Sequence, residues 1–143
     1  MKIISLDIGT VRIGIATSDI MEIIASAYDV YRRKNFEADV KYLADLVSKL
    51  EAGEIVIGLP LKLDGSEGQS VDMARSFGER LKEITGVPVV YQDERLSTVS
   101  AERILIESGM RREKRKDKID SVAATIILQT YLDKKSLKKG SLA

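Results

Sequence analysis

The fold is decided by a stretch near the N-terminus that reads Ile3-Ile4-Ser5-Leu6-Asp7-Ile8-Gly9-Thr10-Val11-Arg12-Ile13-Gly14-Ile15-Ala16. An apolar run breaks at Gly9-Thr10 and then resumes with alternation, which predicts two antiparallel strands joined by a tight turn. Because side chains alternate along a strand, Asp7 lies on the opposite face from Leu6 and Ile8. A carboxylate inside a strand must meet a cation or hydrogen bonds, since burying it alone costs several kcal/mol.

Two interpretations of Asp7 are open at this point. It can cap the Gly9-Thr10 turn through its own side chain, as Asx residues often do. Alternatively it is a functional carboxylate, because acids within strands are often functional when no basic partner lies nearby. The nearest bases in the sequence are Lys2 and Arg12.

The composition predicts one soluble globular domain. The chain has 143 residues, of which 44% are hydrophobic and 31% charged. A chain of this length is large enough to bury a core and too small for two domains. No apolar run approaches the roughly 20 residues of a membrane span, so we expect no membrane association and a cytoplasmic location.

The absence of two residue types narrows the possible chemistry. The chain contains no Cys and no His, which excludes disulfides, thiol nucleophiles, Ser-His-Asp triads and most zinc sites. An enzyme of this composition must use Asp, Glu, Lys, Tyr and the backbone. Oxygen ligands of this kind suit Mg²⁺ or Mn²⁺.

Charge is distributed unevenly along the chain. Residues 1–110 hold 13 Lys and Arg against 18 Asp and Glu, whereas residues 111–143 hold 10 against 4. The basic end suits a polyanion that binds beside an acidic site, although solvated, mobile segments would have the same composition. We predict a domain over residues 1–133 and a basic, flexible tail over residues 134–143.

Hydrophobic periodicity predicts the remaining elements. They are a strand over Ala25–Arg32, a helix from about Phe36 that Gly53 ends, a strand over Glu54–Leu59, a helix over about Ser70–Thr85, a strand over Val87–Tyr91, a helix from Ser97 or Ser100 to Ser108, and a helix over about Ile119–Leu132 with a core stripe of Ile119, Val122, Ala123, Ile126 and Ile127. The polar, Gly-rich loop over residues 60–70 is either a phosphate contact or an ordinary connection. The order predicts an α/β fold with one five-stranded mixed sheet, formed by an antiparallel three-strand meander plus two parallel strands, with helices on both faces.

Three acidic positions converge in such a fold. They are Asp7 on the central strand, Glu94 with Asp93 after the last strand, and Asp120 near the start of the last helix, where Asp117 is less well placed. Simpler roles are a helix N-cap for Asp120 or Asp117 and an ion pair with Arg95 or a neighbouring Lys for Glu94. Three carboxylates in one site would repel one another unless divalent cations lay among them, and such cations can activate water on a phosphodiester.

Four motifs in this sequence resemble those of one known family. They are Leu6-Asp7-Ile8-Gly9-Thr10 with Arg12-Ile13-Gly14, Ile57-Gly58-Leu59-Pro60-Leu61 with Asp64-Gly65-Ser66-Glu67-Gly68, Asp93-Glu94-Arg95-Leu96-Ser97-Thr98, and Lys118-Ile119-Asp120-Ser121 with Ala123-Ala124 and Ile127-Leu128-Gln129. Together they resemble the YqgF family, also called RuvX or Holliday junction resolvases. The resemblance implies an RNase H-like fold and a metal-dependent nuclease that trims the 5′ end of precursor 16S rRNA, or, by an older assignment, resolves Holliday junctions.

The same resemblance implies roles for individual residues. Asp7, Glu94 and Asp120 correspond to the catalytic, metal-binding acids, with Mg²⁺ or Mn²⁺ as the cofactor. We expect basic residues to contact the nucleic-acid backbone by charge rather than by sequence. They are Arg12, Arg95, Arg111, Arg112, Lys114, Arg115, Lys116 and Lys118. The expected partners are precursor rRNA or branched DNA, with the ribosome as a further partner, and the oligomeric state stays open.

Two alternatives compete with the nuclease interpretation. Asp7-Ile8-Gly9-Thr10 is also similar to the phosphate-binding hairpin of actin-like ATPases and sugar kinases, which close two such domains over a nucleotide. This chain has room for one domain. The second alternative is a non-catalytic RNA-binding or ribosome-associated factor that keeps the fold without turnover.

Overall fold

The computed structural model describes residues 1–60, 68–93 and 112–142, without the side chains of residues 69, 112–121 and 138–142. Within these ranges the chain forms five strands and three helices. The strands are β1 (Ile3–Ile8), β2 (Arg12–Ser18), β3 (Ala25–Arg32), β4 (Glu54–Leu59) and β5 (Val89–Asp93), and the helices are α1 (Phe36–Lys49), α2 (Gln69–Thr85) and α3 (Arg112–Leu142). Strand β5 begins and ends two residues later than predicted.

One mixed sheet forms the centre of the molecule. Its strand order is β3-β2-β1-β4-β5, so β1 is the middle strand. The first three strands form an antiparallel meander, and β4 and β5 run parallel to β1. This confirms the predicted α/β fold and its five-stranded sheet.

Helices cover both faces of the sheet, as predicted. Ile4, Leu6 and Ile8 belong to the core between the sheet and helices α1 and α2. Ile3 belongs to the smaller core beneath α3. Alternation along β1 therefore puts Ser5 and Asp7 on the α3 face of the sheet.

The last helix is longer than predicted. Helix α3 spans 31 residues, from Arg112 to Leu142, instead of about Ile119–Leu132. The interior from Arg112 to Lys139 contains no Pro or Gly, and its Lys, Arg and Glu residues are good helix formers. Its buried stripe is also rotated from the predicted one and consists of Ala123, Ala124, Ile127, Leu128 and Leu132, with Val122 and Ile126 only half-buried.

Helix α1 ends before the glycine that we expected to stop it. Its C-cap is Leu50, and Glu51 adopts the left-handed conformation with φ of 52°. Gly53 serves a different need, because a Cβ there would lie 2.8 Å from the Sδ atom of Met1. Helix α2 does end as predicted, at Gly86 with φ of 71°.

Two predicted segments lie outside the described residues. They are most of the loop over residues 60–70 and the helix from Ser97 or Ser100 to Ser108. Among the helices of the described chain, none is long and apolar enough to cross a membrane.

Candidate active site

Asp7 lies near the end of the middle strand, on the face covered by α3. Only 9% of its surface is exposed. Its partner in β2 is Gly14, and the β1–β4 register, continued by one residue beyond the pair of Leu6 and Ile57, brings Gly58 to its other side. Neither neighbouring strand therefore has a side chain beside the carboxylate. We call this row of Gly14, Asp7 and Gly58 the glycine trough.

The turn that follows Asp7 is closed by its own backbone. The N–H of Gly9 donates to the carbonyl oxygen of Arg12 at 2.9 Å. A Cβ at Gly9 would lie 2.8 Å from that same oxygen, so only glycine fits. Arg33 holds the turn from the end of β3: its backbone N–H donates to the oxygen of Val11 at 2.9 Å, and its Nη1 donates to the oxygen of Gly9 at 3.2 Å.

A buried ion pair fixes Arg33 in this position. Its Nε lies 2.9 Å from Oδ2 of Asp39, which is completely buried at the start of α1. Burial alone would raise the pKa of Asp39, but hydrogen bonds from the Lys34 backbone N–H, Arg33 and Tyr31 outweigh it and hold this pKa below its usual value. The Arg33 guanidinium also lies 5.0 Å from the ring centre of Phe77 in α2. The turn after Asp7 is thus anchored to both α1 and α2.

Helix α3 runs antiparallel to β1 on the other face of the sheet. The Tyr131 hydroxyl donates to Glu54 at the start of β4, and the Ser5 hydroxyl donates to the carbonyl oxygen of Ala124 at 2.7 Å. From Ala124, the backbone of residue 120 lies one turn, about 6 Å, closer to the N-terminus of α3. From Ser5, Asp7 lies two residues, about 7 Å, closer to the C-terminal end of β1, which is the same direction in space. The backbone of α3 therefore brings position 120 to the end of β1 that carries Asp7.

Comparison with known proteins identifies the family. The family profile described as "RuvX: Holliday junction resolvase" matches residues 1–134. The chain belongs to the RuvX family. A protein from Caldanaerobacter subterraneus subsp. tengcongensis, named "Putative pre-16S rRNA nuclease", is 47% identical to this RuvX-family chain over 134 residues, which are 93% of this chain and 96% of that protein. A protein of the same name from Syntrophomonas wolfei is 43% identical over 139 residues, 97% of this chain and 99% of the other.

Solved structures of Holliday junction resolvases share the RuvX-family fold. RuvC of T. thermophilus in complex with a Holliday junction substrate matches with a TM-score of 0.60 and 11% identity, covering 95% of this chain and 96% of the other. The fowlpox virus resolvase in complex with Holliday junction DNA matches with a TM-score of 0.58 and 11% identity, covering 94% and 98%. These likenesses confirm the expected RNase H-like architecture.

The predicted site residues are described to different extents. Asp7 is placed in full, and Asp120 by its backbone alone, whereas Glu94, Arg95 and Arg111 lie outside the described residues. Arg112, Lys114, Arg115, Lys116, Asp117 and Lys118 are placed only as backbone positions in the first turns of α3. Arg12 lies on β2, half-buried, and Asp93 is exposed at the end of β5. The three-acid site therefore stays a prediction.

The donor chemistry of the described part suits an oxygen-ligated cation. The described side chains include no group of three acidic residues placed to hold a metal ion, and two of the three predicted ligands have side chains outside that set. The Asp7 carboxylate is nevertheless a hard oxygen donor in a chain without His or Cys. It fits Mg²⁺ or Mn²⁺ better than zinc or copper.

Sequence reasoning missed several residues of this region. Gly14 and Gly58 belong to the quoted motifs, but their positions on either side of Asp7 follow only from strand pairing. The Arg33–Asp39 pair had no signal in the sequence beyond a basic and an acidic residue six positions apart. Gln92 could have been found, because it is a polar residue directly after the predicted strand Val87–Tyr91 and directly before the acids Asp93 and Glu94.

Proposed function

We propose that this RuvX-family protein is a metal-dependent nuclease that processes the 5′ end of precursor 16S rRNA during ribosome biogenesis in the cytoplasm. The observation that carries the proposal is the buried carboxylate of Asp7, set in the glycine trough at the end of the middle strand. Buried carboxylates occur often at reacting centres, and the glycines on both adjacent strands put no side chain beside this one. The names of its relatives support rRNA as the substrate.

The acids would act together in this proposal. Asp7, Glu94 and Asp120 would hold Mg²⁺ or Mn²⁺, and the bound cations would supply activation of water and stabilisation of the leaving oxygen. The chain itself supplies rigidity, because Arg33 fixes the turn after Asp7 through Gly9. Gly14 and Gly58 place no side chain beside Asp7 on the adjacent strands.

The basic residues before Asp120 would bind the substrate backbone. Arg112 precedes Asp120 by eight residues of continuous helix, a distance of about 12 Å along the axis. A nucleic-acid strand that enters the glycine trough from the N-terminal end of α3 would pass the basic side chains of this helix. Such contacts are electrostatic, so they supply affinity without sequence preference.

Simultaneous substitution of Lys114, Arg115 and Lys116 by Ala tests this path. If each of the three basic residues contacts one phosphate, the slope of log Kd against log salt for single-stranded RNA falls by about 2. Cleavage at saturating RNA should change much less, because these residues bind the backbone away from the reacting bond. The measurement is a fluorescence titration of RNA at four salt concentrations.

A second triple variant controls for the lost charge. Lys41, Lys49 and Lys82 are exposed on α1 and α2, on the opposite side of the sheet from α3. Their replacement with Ala removes the same three charges and should leave the salt slope unchanged. Equal slopes for the wild type and the Lys114, Arg115 and Lys116 variant would remove this segment from the substrate path.

Holliday junction resolution is the second candidate. The family description and the fold shared with RuvC favour it. The test is a competition in which precursor 16S rRNA and a four-way DNA junction, carrying different dyes, are cut in one reaction. Faster cutting of the RNA supports the proposal, and cutting of the junction alone supports resolution. Binding of RNA without cutting of either would favour a non-catalytic ribosome-associated factor.

A further inference from the structure

Gln92 is a buried polar residue on the same face of the sheet as Asp7. It lies on β5, where it pairs with Gly58, and 8% of its surface is exposed. Its neighbour Tyr91 packs into the core beneath α1 and α2. Because side chains alternate along a strand, Gln92 lies on the opposite face, which α3 covers.

Gln92 extends the row of the glycine trough by one strand. Gly58 lies between Asp7 and Gln92 in this row and has no side chain. Adjacent strands are about 4.8 Å apart, so the Cα atoms of Asp7 and Gln92 are separated by about 10 Å. The carboxylate and the amide therefore lie on either side of Gly58, on the same face of the sheet.

The amide of Gln92 makes no hydrogen bond with any residue in ranges 1–60 and 68–93 or with the described part of α3. Its atoms are not among the fully buried side-chain atoms that lack a partner in these ranges, so the Gln92 amide still reaches solvent and can exchange its bonds to water for bonds to a ligand. Gln129 of α3 shows the usual situation. Its Oε1 accepts from the Ala25 N–H at 2.9 Å, and its Nε2 donates to the oxygen of Ile23 and to Asp133, both at 3.0 Å.

We propose that Gln92 contacts the substrate: its amide N–H donates a hydrogen bond to a non-bridging phosphate oxygen of the RNA strand that crosses the glycine trough. This inference rests on the proposed nuclease function, because it requires the RNA backbone to pass over Asp7. A neutral amide suits the position. It can orient a phosphate without adding a positive charge that would compete with cations at the nearby carboxylate.

Binding and stability measured together test the role of Gln92. In an Asp7→Asn background, which permits binding without cleavage, we expect Gln92→Leu to weaken binding of a single-stranded precursor 16S rRNA fragment about tenfold. Gln92→Glu should weaken it further, because an ionised carboxylate repels the phosphate. In contrast, Gln92→Leu should leave the Tm within about 2 °C of the parent protein, since the amide has no partner in the described residues to lose.

Gln129→Leu is the matched control. It removes an amide with three partners, so it should lower the Tm and leave RNA binding by the folded protein unchanged. Equal RNA affinity of the Gln92→Leu and Gln92→Glu variants, or a Tm of Gln92→Leu that falls as in Gln129→Leu, would overturn the proposal. If the wild type binds RNA but cuts none, the nuclease function fails, while the order of affinities still decides whether Gln92 contacts phosphate.

Discussion

Asp7→Asn is expected to lower the rate of RNA cleavage by about three orders of magnitude or more. The substitution keeps the shape of the side chain and removes the negative charge that would hold a divalent cation, and such a cation contributes several kcal/mol of transition-state stabilisation. Asp120→Asn should cause a comparable loss for the same reason. The measurement is a single-turnover rate at saturating enzyme, so that weaker substrate binding does not contribute.

Asp45→Asn provides the control for this loss. Asp45 is exposed on α1, on the side of the sheet away from α3, and its substitution should leave the single-turnover rate unchanged. If Asp7→Asn cleaved RNA at the wild-type rate, the observed activity would come from another nuclease in the preparation. Such a result would favour the non-catalytic alternative.

Asp39→Ala should lower the free energy of unfolding by roughly 3–5 kcal/mol. The variant leaves the Arg33 guanidinium, whose side chain is 16% exposed, without its buried partner. A domain of ordinary stability unfolds at a cost of about 5–15 kcal/mol, so this loss is a large fraction of the total. Urea denaturation of both proteins at neutral pH measures the difference.

The effect of Asp39→Ala should depend on pH in one direction. Because the pKa of Asp39 is lowered in the folded protein from its ordinary value of 3.8, the stability it provides is full above that value. It is lost as the pH falls through the lower folded pKa. The difference between the two proteins should therefore be constant above pH ~5 and shrink in acid.

Glu83→Ala serves as the control for an exposed ion pair. Glu83 lies 3.1 Å from Arg80, and its side chain is 72% exposed. Exposed pairs of this kind contribute at most about 1 kcal/mol. A loss for Asp39→Ala as small as that for Glu83→Ala would show that the buried pair does not anchor the turn after Asp7.

The fold could be predicted from local patterns where those patterns are strong. Alternation around Asp7 predicts both the first hairpin and the face on which the carboxylate lies, since one apolar face had to pack against a core. The apolar run Glu54–Leu59 and the strand Ala25–Arg32 likewise have the predicted bounds. These signals depend only on residues adjacent in sequence.

Features that depend on tertiary contacts, or that have no local sequence pattern, were harder to predict. The predicted ends of α3 were wrong because they followed the apolar periodicity, which is present only where the helix packs on the sheet. The charged residues before and after that part continue the helix through their helix propensity. The stop at Gly53 was wrong because α1 is already capped at Leu50, and Gly53 lies instead beside the Met1 side chain. The lack of side chains on either side of Asp7 depends on glycines from two other strands, which only the register brings together.

The central claim is that Asp7 belongs to a metal-dependent RNA-cleaving centre. Its most direct test is cleavage of a 5′-labelled precursor 16S rRNA fragment by wild type and Asp7→Asn, prepared in parallel, with Mg²⁺, with Mn²⁺ and with a chelator. We predict a discrete product from the wild type only, and only when a divalent cation is present. Equal product from both proteins, or product in the presence of the chelator, would contradict the claim.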